Sequence, residues 1–268
     1  MSIFTPFAFY QAGGAPPPVL WTPANNANTF VWYDAADTGT ITTVSGDVSQ
    51  WDDKSGNGYN ATQATAADRP DYAVATLNGV DLVSFGRTSA VGLDIPTTVF
   101  TNRNLSLYVV SRTTTVRGNW QVNALFSRGG NNVVNLLSDG TAGNMRWSTY
   151  ENTWRLANTT LLVNTPYILE VIGDNAALSA EFFLNGVADG TVSSGGFGTT
   201  SVFNDGVGYL GNDQYGSYFI GDLAEVVLVN AKDSATDRQK MEGYLAWKWG
   251  MEADLPIGHP YKSAAPTV

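Results

Sequence analysis

YFIGDLAEVVLVNAKDSATDRQKMEGYLAWKWG, residues 218–250, changes its hydrophobic period once. The first part, 218–229, is rich in valine and bounded by Asn230, and it reads as a strand. The second part reads as a helix over 236–249. Met241, Leu245 and Trp249 recur there at i, i+4 and i+8, with Tyr244 beside them. Ser234 followed three residues later by Asp237 resembles a capping box, and Gly250 is a natural stop.

Working outward from this run, no second helical period of comparable length appears. The chain reads instead as short strands between turns, at 29–33, 48–51, 82–85, 105–111, 123–126, 145–150, 154–156, 167–172, 181–184 and 207–210. Asp139-Gly140, Asn185-Gly186 and Asp189-Gly190 mark tight turns, because Gly and Asn tolerate positive φ. Strands at this spacing predict an all-β sandwich or jelly roll of two antiparallel sheets, closed by one C-terminal helix.

Composition agrees. Among 268 residues, 43% are hydrophobic and 12% aromatic, enough for one large core, while only 14% are charged. The net charge of −10 repels phosphate backbones and argues against nucleic acid. There are no cysteines, so the fold is not a disulfide scaffold. No run of 18 apolar residues predicts a membrane span, and the N-terminus lacks the pattern of a signal peptide.

Two segments divide the chain. Residues 1–20 form an extended arm, with Phe4, Phe7, Phe9 and Tyr10 ahead of a Gly13-Gly14-Ala15-Pro16-Pro17-Pro18 spacer. The arm is expected to dock on a partner subunit; folding back onto its own domain is the alternative. Residues 21–268 form a single domain.

Several motifs carry a resemblance. Trp32-Tyr33-Asp34, the loop Asp53-Lys54-Ser55-Gly56-Asn57-Gly58-Tyr59-Asn60-Ala61-Thr62, and Asn78-Gly79-Val80-Asp81 come in order. Phe183-Leu184-Asn185-Gly186, Phe219-Ile220-Gly221-Asp222-Leu223-Ala224-Glu225-Val226, and the ending 239–250 with Leu255-Pro256 and His259-Pro260-Tyr261 follow. Together they resemble laminin-G-like, concanavalin A-like lectin-glucanase jelly-roll domains of the type found in phage and marine-virus virion proteins. The resemblance implies a virion structural protein made in the host cytoplasm: a capsid decoration, fibre or tail component. Its partners would be capsid or tail proteins, another copy of the chain, or host glycans. The alternative is a carbohydrate-binding module or adhesin outside any virion.

Chemistry is sparse. Asp52, Asp53, Ser55 and Asn57 offer oxygen ligands of the kind calcium takes. The resemblance implies a further acidic ligand on the late strand, where Ala224 stands instead, so a self-capped turn is expected. One histidine and no cysteine exclude the usual zinc sets. The six glutamates are scattered, with no E-x-D-x-x-E strand motif to supply acid and nucleophile. His259, the sole histidine, reads as a packing or capping residue, so neither catalysis nor a cofactor is expected.

For sugar, 145–156 reads as a hairpin around Glu151-Asn152. Alternation over that turn would put Met145, Trp147, Thr149, Trp154 and Leu156 on one face. Arg146, Ser148, Tyr150, Thr153 and Arg155 would share the other. Arg146, Tyr150 and Arg155 are therefore the candidate glycan contacts: a ring for stacking between two guanidinium groups.

Overall fold

The computed structural model describes residues 18–86, 91–96, 104–115, 122–128, 131–138, 145–150, 154–174, 176–177, 179–192, 208–212 and 218–268; for 122–156 and 192 it describes the backbone alone. The fold is a concanavalin A-like jelly-roll sandwich. Its strands are β1 (Thr29–Asp34), β2 (Ile41–Val44), β3 (Asp47–Trp51), β4 (Ala61–Thr62), β5 (Asp71–Leu77), β6 (Val80–Phe85), β7 (Leu93–Ile95), β8 (Leu105–Thr113) and β9 (Val122–Arg128). Then come β10 (Asn131–Ser138), β11 (Met145–Tyr150), β12 (Trp154–Leu156), β13 (Pro166–Asp174), β14 (Ser179–Leu184), β15 (Val187–Val192), β16 (Gly208–Leu210) and β17 (Gly221–Val229). One helix, α1 (Ala235–Trp249), follows.

One sheet runs β15–β14–β13–β8–β17. The far edge of β17 is shared: β1 takes its C-terminal half and β6, flanked by β5, its N-terminal end. The other sheet runs β2–β3–β4–β7–β16–β9–β10–β11–β12. Among the described residues a single pair, Asp47 with Asp71, joins the two runs, and every strand pairing is antiparallel. All nine residues of β17 are buried, because it is covered on both edges and both faces.

Local chemistry explains the joints. Asn185 and Gly186 take φ of 49° and 77°, and Asn78 and Gly79 take 50° and 82°. Both pairs make the type I′ turns that match strand twist. Ser234 caps α1 by accepting from the Asp237 N–H at 3.2 Å, and Gly250 ends it at φ 66°. Met241, Leu245 and Trp249 are fully buried, as their spacing predicts. No helix among the described residues is long and apolar enough to cross a membrane.

Some expectations are corrected. The last strand begins at Gly221 rather than 218; the Phe219 N–H turns aside to donate to Gly211 O at 2.7 Å. Asp189-Gly190 is not a turn. It lies inside β15, where Phe182 pairs with Gly190 and Phe183 with Ala188, so Asp189 is the extra residue of a bulge. Asp139-Gly140 lies outside the described residues. Val19 and Leu20, read as the end of the arm, pair with the C-terminus: Val268 N–H donates to Val19 O at 3.0 Å and Trp21 N–H to Pro266 O at 2.9 Å.

Candidate functional site

The motif residues that are far apart in sequence meet beneath α1. Glu225 of β17 is fully buried and accepts four hydrogen bonds. Trp32 Nε1–H donates to Oε1 at 2.6 Å, Trp249 Nε1–H to Oε2 at 2.7 Å, Tyr244 O–H to Oε1 at 2.8 Å, and Lys248 Nζ lies 2.8 Å from Oε2. Burial pushes its pKa up, the Lys248 charge opposes this, and Asp34 adds to it. Lys54 Nζ reaches Asp34 at 2.7 Å and Asp37 at 2.8 Å, and stands 4.4 Å over the Trp32 ring.

The Gly-rich loop is closed on itself, as expected. Asp53 Oδ1 accepts from Trp32 N–H and Ser55 N–H, each at 2.9 Å, and Oδ2 from Ser55 O–H at 2.7 Å and Tyr59 N–H at 3.1 Å. Both oxygens that calcium would need are thus engaged with four donors. Among the described residues no group of three or more His, Asp or Glu is arranged to hold a metal ion.

A second buried acid cluster was not legible. Glutamates that are scattered in sequence are gathered by the fold: Glu170 of β13 and Glu242 of α1 are both fully buried. Glu242 pairs with Arg238, and its Oε2 lies 2.8 Å from His259 Nε2. His259 Nδ1 accepts the Tyr261 N–H at 3.2 Å, so the ring hydrogen sits on Nε2 and is donated to Glu242. Arg238 also stacks 3.8 Å above Phe183. Glu170 Oε1 accepts from Gly186 N–H at 3.3 Å, while Oε2 has no donor. Burial first, then the charge of Glu242, raise the Glu170 pKa well above the ordinary range. That direction favours the protonated acid, whose O–H is a donor where the carboxylate has none.

The other buried acids are likewise engaged. Asp222 accepts from Arg112 at 2.6 Å and Ser84 at 2.7 Å, Asp233 from Tyr108 at 2.7 Å, and Asp189 from Thr159 at 2.6 Å. These carboxylates face internal donors rather than an opening.

Of the candidate glycan contacts, Arg146 and Tyr150 fall on β11 and Arg155 on β12; their side chains lie outside the described residues. Tyr150 pairs with Trp154 and Thr149 with Arg155. Three residues, not two, separate the paired ends. Phe4, Phe7, Phe9 and Tyr10 also lie outside the described residues.

One groove is open to solvent near the chain ends. Trp21, Tyr244, Trp247 and Pro266 wall a space of about 340 Å³ that Leu20 and Ala265 complete.

No family model matches the chain, and no curated protein matches it. Solved structures similar in fold include domain 4 of an extracellular arabinanase from Geobacillus stearothermophilus, in complex with arabinotriose. That match has a TM-score of 0.55 and 16% identity, over 79% of this chain and 96% of that domain. The binding domain of Paraclostridial Mosquitocidal Protein 1 matches with a TM-score of 0.58 and 8% identity, over 83% of this chain and 53% of that one. Trypanosoma rangeli sialidase matches with a TM-score of 0.57 and 10% identity, over 83% of this chain and 33% of the sialidase. At these identities the likeness is one of fold.

Proposed function

We propose that this chain is a non-catalytic structural module of a larger particle, a virion, whose sandwich contacts glycans through the β11–β12 hairpin. The observation that carries the glycan reading is the likeness across 96% of an arabinanase domain held with arabinotriose. The non-catalytic reading is supported by the acids themselves. Hydrolysis of a glycosidic bond needs two carboxylates flanking a substrate. Glu225 and Glu242 instead hold internal indoles, a guanidinium and an imidazole. The virion setting rests on the motif resemblance and on the aromatic arm.

The test is a glycan array probed with the full chain, including arabino-oligosaccharides and sialosides, with product analysis on every glycan that binds. Binding without turnover is expected, weakened by Arg146→Ala, Tyr150→Ala and Arg155→Ala. Release of shortened sugars would make the chain an enzyme, and no binding across the array would remove the glycan reading. Particle purification followed by mass spectrometry tests the virion setting separately.

A further inference from the structure

The groove at the chain ends goes beyond the glycan reading. Its walls are fixed before anything enters. Trp247 donates its indole N–H to Tyr261 O at 2.7 Å, Tyr244 is held by Glu225 at 2.8 Å, and Trp21 packs edge-on to Tyr244 at 6.2 Å. Yet Trp247 remains 38% exposed and Leu20 59% exposed. The polar residues of the lining are Thr22 and Lys248, and the Lys248 ammonium is already taken by Asp34 at 2.5 Å and Glu225 at 2.8 Å. A sugar needs several hydroxyl partners, which such a lining lacks. An aromatic side chain needs only the rings.

We propose that this groove receives the aromatic segment of the N-terminal arm, residues 4–10, from a second copy of the chain. The chain length outside the described residues supports this. Seventeen residues precede Pro18, and the chain enters the domain at the groove itself, since Leu20 and Trp21 line it. Phe4, Phe7, Phe9 and Tyr10 are four large aromatics in that segment, and leaving them in water is unfavourable. A Pro16-Pro17-Pro18 sequence stiffens into polyproline II, roughly 9 Å for three residues. To return to its own groove the arm would have to reverse within residues 11–15 and recover that distance. The groove of a neighbour takes it without reversal. Rigid walls lower the ordering cost on the receiving side, which leaves the entropy of the arm as the main opposing term.

The test is complementation, read by sedimentation velocity. The full chain is expected to self-associate as its concentration rises. A chain lacking residues 1–17 and the full-length Trp247→Ala variant should each weaken self-association at least tenfold. Mixed together, those two should form a one-to-one complex, because one supplies an intact arm and the other an intact groove. Trp247→Phe should retain association, and unchanged thermal unfolding of each variant shows that the fold is intact. Absence of the mixed complex overturns the proposal. So does a full chain that stays monomeric while a synthetic peptide of residues 1–17 binds the truncated chain, which would assign the groove to the chain's own arm.

Discussion

Asp34 and Glu225 stand directly opposite each other on adjacent strands, and the ammonium of Lys248 lies 2.5 Å from the first and 2.8 Å from the second. Like charges in that register repel, so the helix-borne cation, together with Lys54 at 2.7 Å from Asp34, makes the pairing tolerable. Lys248→Met is expected to lower unfolding free energy by about 3–5 kcal/mol, the usual cost of stranding a buried charge. Adding Asp34→Asn to that variant should recover part of the loss, because it removes one of the two facing charges. Urea unfolding of both single variants and the double variant measures the coupling. Simple additivity would mean that Lys248 acts elsewhere.

Glu170 gives a pH signature. Its folded pKa is raised by burial and by Glu242, so its stabilisation is complete below the unfolded value and is lost as pH rises through the folded one. Glutamine mimics the protonated form, still accepting from Gly186 while carrying donor N–H groups. Glu170→Gln should therefore match the parent in acid and exceed it on the alkaline side, by on the order of 1–2 kcal/mol. Glu242→Gln should be destabilising instead, since Arg238 loses its close partner and keeps only Glu170 at 4.0 Å. Melting temperatures of the three proteins across pH distinguish these outcomes; parallel curves would refute the protonated assignment.

Gly243 inverts a familiar rule. In an exposed helix, glycine to alanine gains about 1 kcal/mol. Here a Cβ would lie 2.5 Å from Tyr261 Cβ and 2.8 Å from its Cγ, atoms that cannot swing aside. Gly243→Ala should lose roughly 1–3 kcal/mol in chemical denaturation, the range for overpacking. A stabilised variant would show that the 251–268 segment yields to the helix.

The Gly-rich loop should be indifferent to calcium. Asp53 already accepts from four donors, so a cation would have to displace them. Neither EDTA nor added calcium is expected to move the melting temperature measurably. A site filled at a hundredfold excess would add about 2.7 kcal/mol. Asp53→Ala, by contrast, should destabilise the loop and strand β1 together.

The sequence revealed what is local. The Ser234 cap, the Gly250 stop and the Asn185-Gly186 turn each act within a few residues, and each stands where it reads. Strands β4 and β7, two and three residues long, are too short to show a period. The bulge at Asp189 mimics a turn because Asp-Gly suits both; what decides is the Thr159 hydroxyl and N–H, supplied from another loop. The Glu170–Glu242 cluster was hidden for a related reason: its members come from β13 and α1, which only the packed fold brings together. At the hairpin the paired ends are Tyr150 and Trp154, one loop residue further apart than the sequence suggested.

The pairing of the two chain ends has a mechanical side. Val268 bonds Val19, Leu20 bridges Thr267, and Trp21 bonds Pro266, so the ladder opens at the point where both ends leave it. Tension applied between the arm and the C-terminus would break these contacts singly, like a zip, and would reach the sandwich only at Trp21. The first rungs are each worth about 1 kcal/mol. They would yield under a small load and reclose when it is released, a soft first extension ahead of a stiff body.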